Sequence, residues 1–337
     1  MLRLACFSAA LLAAPVYAQD KAADSNDRAP GVISVTSEND LFGGTDRNYT
    51  NGLRLERISS ADSAFDILKR AGALLPGISV DEHEVRQGVA ISHAIFTPED
   101  ISSAPPDGED RPYAGWLALS LTAVSSDEDT QDTIQLNLGI VGPSAGGEFV
   151  QVNFHELING VDPVGWDSQL RDEPGFEIVG QRLQLFEGPS IDFLNVKTDV
   201  GLHGGLALGN VRTYAATGVM ARIGLGRDSL DGDFGPPRIR PALSGGGVFK
   251  PDDGFGGYLF VGADVRAVAR DIFLDGNTFR DSPSVRERRP LVGDLQGGIA
   301  LQYKNAQLAF TYVHRTEQFV QQDGPQRFGA ISLSVAL

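Results

Sequence analysis

The chain has 337 residues, with 28 Lys+Arg against 44 Asp+Glu and a formal net charge of −16. That balance excludes a nucleic-acid binder, because no basic stripe exists to replace phosphate counterions; 42% hydrophobic and 21% charged residues exclude wholesale disorder. The length suits two average domains or one all-β barrel, and the 40 glycines lean toward the all-β class.

Arg3, the apolar stretch Leu4–Ala14, Pro15 and the small-residue pattern Val16-Tyr17-Ala18 predict a secretory signal peptide over 1–18, cleaved after Ala18. The single cysteine, Cys6, lies within it, so disulfides and cysteine-ligated metals are not expected in the exported protein. Residues 19–30 read as a flexible polar segment.

From residue 31 the dominant pattern is period-2 alternation. Twelve strands are predicted: Val32–Ser37, Leu53–Ile58, Val85–Ile95, Trp116–Val124, Thr133–Val141, Phe176–Leu185, Phe193–Leu202, Tyr214–Leu225, Tyr258–Ala269, Leu291–Tyr303, Ala306–Phe319 and Phe328–Leu337. In the last, Ile331, Leu333, Val335 and Leu337 form an apolar face, while Ala330, Ser332, Ser334 and Ala336 form a small or polar one. A lipid-facing exterior and a tight interior have that pattern. Long strands, an even count and export favour an all-β, twelve-stranded antiparallel transmembrane barrel over 31–337, in the outer membrane of a Gram-negative bacterium, rather than a soluble sandwich. Short inner turns at Ser125–Thr130, Glu187–Ser190 and Lys304–Asn305 agree; segments 60–83 and 226–256 are too long for such turns. No internal repeat is evident.

Three polar blocks fall in predicted outer connections: 37–52, 108–116 and 139–158 continued by 165–175. The first holds Glu38, Asn39, Asp40 and Asp46, with Thr50 and Asn51 beginning the next strand. An oxygen-rich cluster suits a hard cation such as Ca²⁺, or is an ordinary Asx-rich turn. The second holds Arg111, suited to a phosphate or carboxylate, or simply paired with Asp110. The third predicts a short amphipathic helix between Gly147 and Asn159 carrying His155, a side chain matched to proton transfer near neutral pH or a structural histidine.

Together, Glu38-Asn39-Asp40, the run Asp46–Gly52, Asp110–Trp116, Val141-Gly142-Pro143, Gln151, His155, Gly165-Trp166 and Gln169-Leu170 resemble the outer-membrane lipid A 3′-O-deacylase family. The resemblance implies a twelve-stranded barrel and Ca²⁺-dependent removal of the 3′-linked acyloxyacyl group of lipid A in the outer leaflet. By position, Asn39, Asp40 and Thr50 match the family's essential loop residues, and His155 its proposed general base. An acid expected six residues after the histidine falls on Val161, leaving Asp162 or Glu156 as substitutes. A lysine expected in the second outer loop has no match around Ile101–Ser102.

The metal ligands expected on this reading are Asp40, Glu38, Asp46, Glu156 and Asp162. His155 either deprotonates water for attack on the ester, or activates Thr50 or a serine as an acylated nucleophile. Arg111 and the basic cluster Arg280, Arg286, Arg288 and Arg289 of connection 271–290 are expected to hold a lipid A phosphate. For the cluster, the alternatives are attraction to an anionic surface or salt bridges with Asp275, Asp281 and Glu287. The competing functions are a related outer-membrane phospholipase or esterase, and a non-enzymatic barrel.

Overall fold

The computed structural model describes residues 30–44, 47–60, 84–104, 108–226, 230, 237–239 and 249–337. The signal peptide, the 19–29 part of the flexible segment, Asp46 and most of the 60–83 connection lie outside the described residues. Twelve antiparallel strands form a closed barrel: β1 (Val32–Asn39), β2 (Asn48–Ile58), β3 (Glu84–Thr97), β4 (Ala114–Ser126), β5 (Thr130–Val141), β6 (Glu173–Glu187), β7 (Val196–Gly209), β8 (Arg212–Leu225), β9 (Asp252–Asp271), β10 (Leu291–Lys304), β11 (Ala306–Arg315) and β12 (Gln326–Ala336). Closure runs from Val32↔Ala336 to Asn39↔Gly329, so neither terminal strand keeps an open edge. Among the described residues no helix is long and apolar enough to cross a membrane; the strands are what cross it.

The alternation sorts the two faces as expected. Ile33 and Val35 of β1, Leu53 and Leu55 of β2, Ile91 of β3, Leu119 of β4 and Ile331 and Leu333 of β12 stand exposed on the outside, where acyl chains cover them. Ser34, Thr36, Ser332 and Ser334 point inward and are buried, with Thr36 and Ser332 hydroxyls 2.9 Å apart. Further round the lumen the small residues give way to paired charges: Arg54 with Glu56 at 2.7 Å, Arg222 with Asp199 at 2.6 Å, and Asp294 with Arg315 and Arg266 at 2.8 and 3.0 Å. In these pairs each buried charge meets an opposite one, which offsets the cost of holding it away from bulk water.

Inner turns are short where expected. Asp127 accepts from the amides of Asp129 and Thr130 in one, and Asn305 alone separates β10 from β11. Most strands run longer than the sequence reading, β2 starting five residues earlier and β7 ending seven later, while two limits fall several residues short of it. β7 begins at Val196, not Phe193, because an Ile191–Val196 bridge and a left-handed Asn195 (φ 50°) close a turn that leaves Phe193 85% exposed. β11 ends at Arg315, and Phe319 turns in to pack with Leu274 and Val285.

The β8–β9 connection is long because its described part enters the lumen. Phe249 packs with Val32, Ile58 and Ala336 near the inner end, and Leu230 with Leu183, Met220 and Tyr258. Arg238 reaches Asp294 (3.1 Å) and Gln296 (2.8 Å), and Ile239 reaches Glu38. At about 3.3 Å per strand residue, the distance along β1 from Val32 to Glu38 is roughly 20 Å. Above this plug, Phe96, Trp116, Leu170, Ile272, Phe273 and Phe328 form an apolar cluster toward the outer mouth, with Phe96 stacked on Phe273 at 3.9 Å.

Candidate active site

Helix α1 (Gly147–Ile158) forms as the apolar spacing predicts and ends at Asn159 in a left-handed cap (φ 53°). Its buried positions Gly147, Gln151 and His155 recur every four residues, one stripe facing the barrel. What they face follows from strand parity. On β3, Ile95 shares the outer face with Val89 and Ile91, yet is only 1% exposed, against 52% for Ile91. It clusters with Ile101, Tyr113 and Trp166, and Trp166 donates through Nε1 to Gln151 Oε1 at 2.9 Å. The helix and its flanking loop therefore lie against the outside of the wall. Close approach is set by Gly115 and Gly147: a Cβ on Gly147 would stand 2.7 Å from the Trp166 ring, and one on Gly115 would stand 3.0 Å from Ala145. His93, also on the outer face, meets the Ala145 carbonyl at 3.0 Å.

On this face the strand ends gather the loop residues. Asn39 pairs with Asn51 across β1 and β2. A register shift between Tyr49 and Asn51 makes Thr50 a bulge residue, the device that re-aims a side chain at a barrel rim. Its hydroxyl lies 2.7 Å from that of Thr97, two residues beyond Ile95 on β3. Asn39 Oδ1 accepts the Leu41 amide at 2.8 Å, capping a 3-10 turn, Asp40–Gly43. This bond fixes the side-chain amide and leaves its NH₂ end as a donor. Asp40 is fully buried, and Oδ2 accepts the Arg47 amide at 2.5 Å.

His155 is 4% exposed. Its Nδ1 lies 2.5 Å from the Val161 carbonyl, which only accepts; Nδ1 therefore carries the proton, and Nε2 is the basic nitrogen of the neutral ring. The departure at Val161 is thus met by the backbone: the residue six positions on orients the histidine through its carbonyl while its side chain faces outward.

Other expected residues stand elsewhere. Glu38 is inward by parity, its Oε1 accepting the Ile239 amide at 2.7 Å, so a ligand role beside Asp40 does not fit its placement. Glu156 and Asp162 are exposed. Among the described residues no group of three or more His, Cys, Asp or Glu gathers as metal ligands, so a cation here would draw on Asp40 and the neutral oxygens of Asn39 and Thr50.

Arg111 is 1% exposed, donates to Gln318 at 2.7 Å and lies over the Phe96 ring at 5.5 Å, tying two outer connections together instead of facing substrate. Burial pulls its pKa down to about 10, partly offset by Asp271 and Asp110, so it stays a cation at neutral pH. Arg288 pairs with Asp275 at 3.1 Å, Arg289 with Glu317 at 2.5 Å and the exposed Arg286 with Glu109 at 3.2 Å. Where a lysine was expected, Ile101 fills the cluster under the helix and Ser102 binds Asp100, whose carboxyl the Ser102 and Ser103 hydroxyls hold below its usual range.

A family model described as outer membrane protein LpxR matches residues 4–337. The chain belongs to the LpxR family. That membership bears out the resemblance carried by the loop blocks. LpxR from Salmonella typhimurium superposes with a TM-score of 0.72 and 18% identity, over 91% of this chain and 100% of that one, which shows the shared fold. The beta domain of the Bordetella autotransporter BrkA aligns at a TM-score of 0.45 and 11% identity, covering 92% and 100%. A search of curated proteins found no match. Within the LpxR fold, sequence reading missed Thr97 and His93 as neighbours of the site. Their signal was parity, since both continue the outer face of Val89, Ile91 and Ile95.

Proposed function

We propose that this LpxR-family barrel is an ester hydrolase that removes the 3′-linked acyloxyacyl group of lipid A in the outer leaflet. The observation that carries the reading is the histidine. His155 is held with Nε2 basic, on a helix laid against the lipid-facing side of the wall, next to the strand ends bearing Asn39, Thr50 and Thr97. A lipid ester reaches such a site from within the leaflet, without passing through the barrel.

In this mechanism His155 Nε2 takes the proton of the attacking water, and Val161 stabilises the imidazolium through the Nδ1–H bond. Asn39 offers its amide NH₂ to the developing oxyanion. Thr50, fixed by Thr97, positions water or the ester; in the competing form it is itself the nucleophile that His155 activates. When bound, Ca²⁺ at Asp40 supplies Lewis-acid polarisation of the ester carbonyl. Arg286, exposed like Arg280, is assigned to a lipid A phosphate, whereas Arg288 and Arg289 are taken up by Asp275 and Glu317.

Mass spectrometry of lipid A from cells with and without the chain tests the reading. Loss of one acyloxyacyl mass is expected with the wild type and not with His155→Ala. Intact lipid A accompanied by lysophospholipid would instead make the protein a phospholipase, and no change in either lipid would leave a non-enzymatic barrel.

A further inference from the structure

The described residues 237–239 of the luminal connection lie directly behind the candidate site. Pro237, Arg238 and Ile239 lie inside the barrel, yet their partners are the inward residues of the strands that carry the site outside. The Ile239 amide donates to Glu38 Oε1 at 2.7 Å, and Arg238 Nε stands 3.8 Å from the same oxygen. Glu38 immediately precedes Asn39 and Asp40, and the Tyr49 hydroxyl, one residue before Thr50, donates to it. The Ile239 side chain packs on Gly52, which follows Asn51.

The same three residues are anchored on the strands that continue the sheet beyond β1. The Pro237 carbonyl accepts the Thr311 hydroxyl at 2.9 Å, Arg238 binds Asp294 at 3.1 Å and Gln296 at 2.8 Å, and its guanidinium lies over the Phe328 ring at 5.2 Å. These residues thus brace the β1 and β2 ends from inside against the adjoining strands β12, β11 and β10.

We propose that Arg238, Ile239 and Glu38 are positioning residues, through which the described part of the β8–β9 connection fixes the geometry of Asn39, Asp40 and Thr50. The proposal rests on the hydrolase reading for its catalytic consequence, not for its structural one. A β-strand end is a thin partition. Its inward side chain at one position and its outward ones at the next share one backbone, so freeing Glu38 lets Asn39 and Asp40 shift together. Displacements near 1 Å at a reacting centre cost up to about a hundredfold in rate.

Glu38→Ala and Arg238→Ala, purified as the full exported protein, are compared with wild type, Glu38→Gln and the distant outer-face variant Asp132→Asn. Asp132 pairs with Arg182 near the inner end, at 2.6 Å. Heat-modifiability on gels establishes that each barrel is closed. Deacylation kinetics and amide exchange over 38–52 are then measured. Expected are roughly 10- to 100-fold losses in kcat at unchanged KM for both alanine variants, with faster exchange in 38–52. Glu38→Gln, which keeps an oxygen for the Ile239 amide, recovers most of the rate, and Asp132→Asn resembles wild type.

Unchanged exchange in 38–52 would overturn the proposal whatever the enzyme does, as would faster exchange at wild-type kcat. A wild type that leaves lipid A intact counts against the hydrolase reading alone, and exchange then decides whether the plug holds these strand ends. Should the alanine variants not fold, Arg238→Lys replaces them. It keeps the charge but cannot span Glu38, Gln296 and Asp294 together, and wild-type exchange in that variant overturns the brace.

Discussion

At the scale of single residues, His155 shows how a base is prepared by its backbone surroundings. The Val161 carbonyl fixes the tautomer, so the identity of the Val161 side chain matters little, whereas the path of the chain matters greatly. His155→Ala should abolish deacylation and Val161→Ala should leave it near wild type. Gly160 lies under the ring: a Cβ there would stand 3.2 Å from Nδ1 and 3.3 Å from Cγ. Gly160→Ala is therefore expected to lower kcat about tenfold by tilting the imidazole, in steady-state assays of a heat-modifiable barrel. Asp40 carries the second residue-level expectation. Asp40→Ala and excess chelator should each silence the enzyme, and after chelation Ca²⁺ should restore more activity than the smaller, more firmly hydrated Mg²⁺. Full activity in chelator would remove the cation from the mechanism.

At the scale of elements, α1 is held on the wall by few contacts: the Trp166–Gln151 bond, the Trp166 ring over Gly147, and the cluster with Ile95, Ile101 and Tyr113. Truncating a buried tryptophan costs about 3–5 kcal/mol, more than a twelve-residue helix stores by itself in water. Trp166→Ala should release α1 while the barrel stays closed, read as new protease cleavage within 147–164 and loss of turnover. The β9–β10 connection behaves differently, because Arg286, Arg288 and Arg289 already have acidic partners. Exposed pairs such as Arg286–Glu109 contribute about 0–1 kcal/mol, so exchanging Glu109 for a phosphate is inexpensive there. Arg286→Gln should weaken turnover of phosphorylated lipid A more than of a dephosphorylated analogue; equal losses would assign the pair to the loop alone.

At the scale of the whole molecule, a greasy exterior and a charged, plugged interior are two faces of the same strands. Ile331 sits midway along β12, facing lipid, with Ala330 and Ser332 beside it facing inward. Ile331→Arg should destabilise the barrel by about 2–4 kcal/mol in denaturant titrations in lipid, whereas Ser332→Ala should cost less, removing one luminal hydrogen bond. The plug also explains why the lumen needs so many charges. A wall of serine, alanine and glycine alone would leave Arg238 without anions, and Asp294 serves Arg238, Arg266 and Arg315 together.

The sequence by itself determined the strand count, the inside–outside sorting and the α1 helix, because period-2 and period-3.6 patterns are local and each bilayer crossing repeats them. It also determined the family, since several blocks in order are more specific than any one. Which side of the wall each loop residue serves was decided only by tertiary structure. Glu38 and Asp40 look alike as acids in one loop, yet Glu38 is the last inward residue of β1 and meets Ile239, while Asp40 begins the following turn and meets the Arg47 amide. Arg111 looks like a ligand until Phe96 and Gln318 enclose it. The destination of the β8–β9 connection was equally hidden. Its length was visible, but its partners Glu38, Asp294 and Thr311 lie far away in sequence, and only closing the barrel brings them into reach.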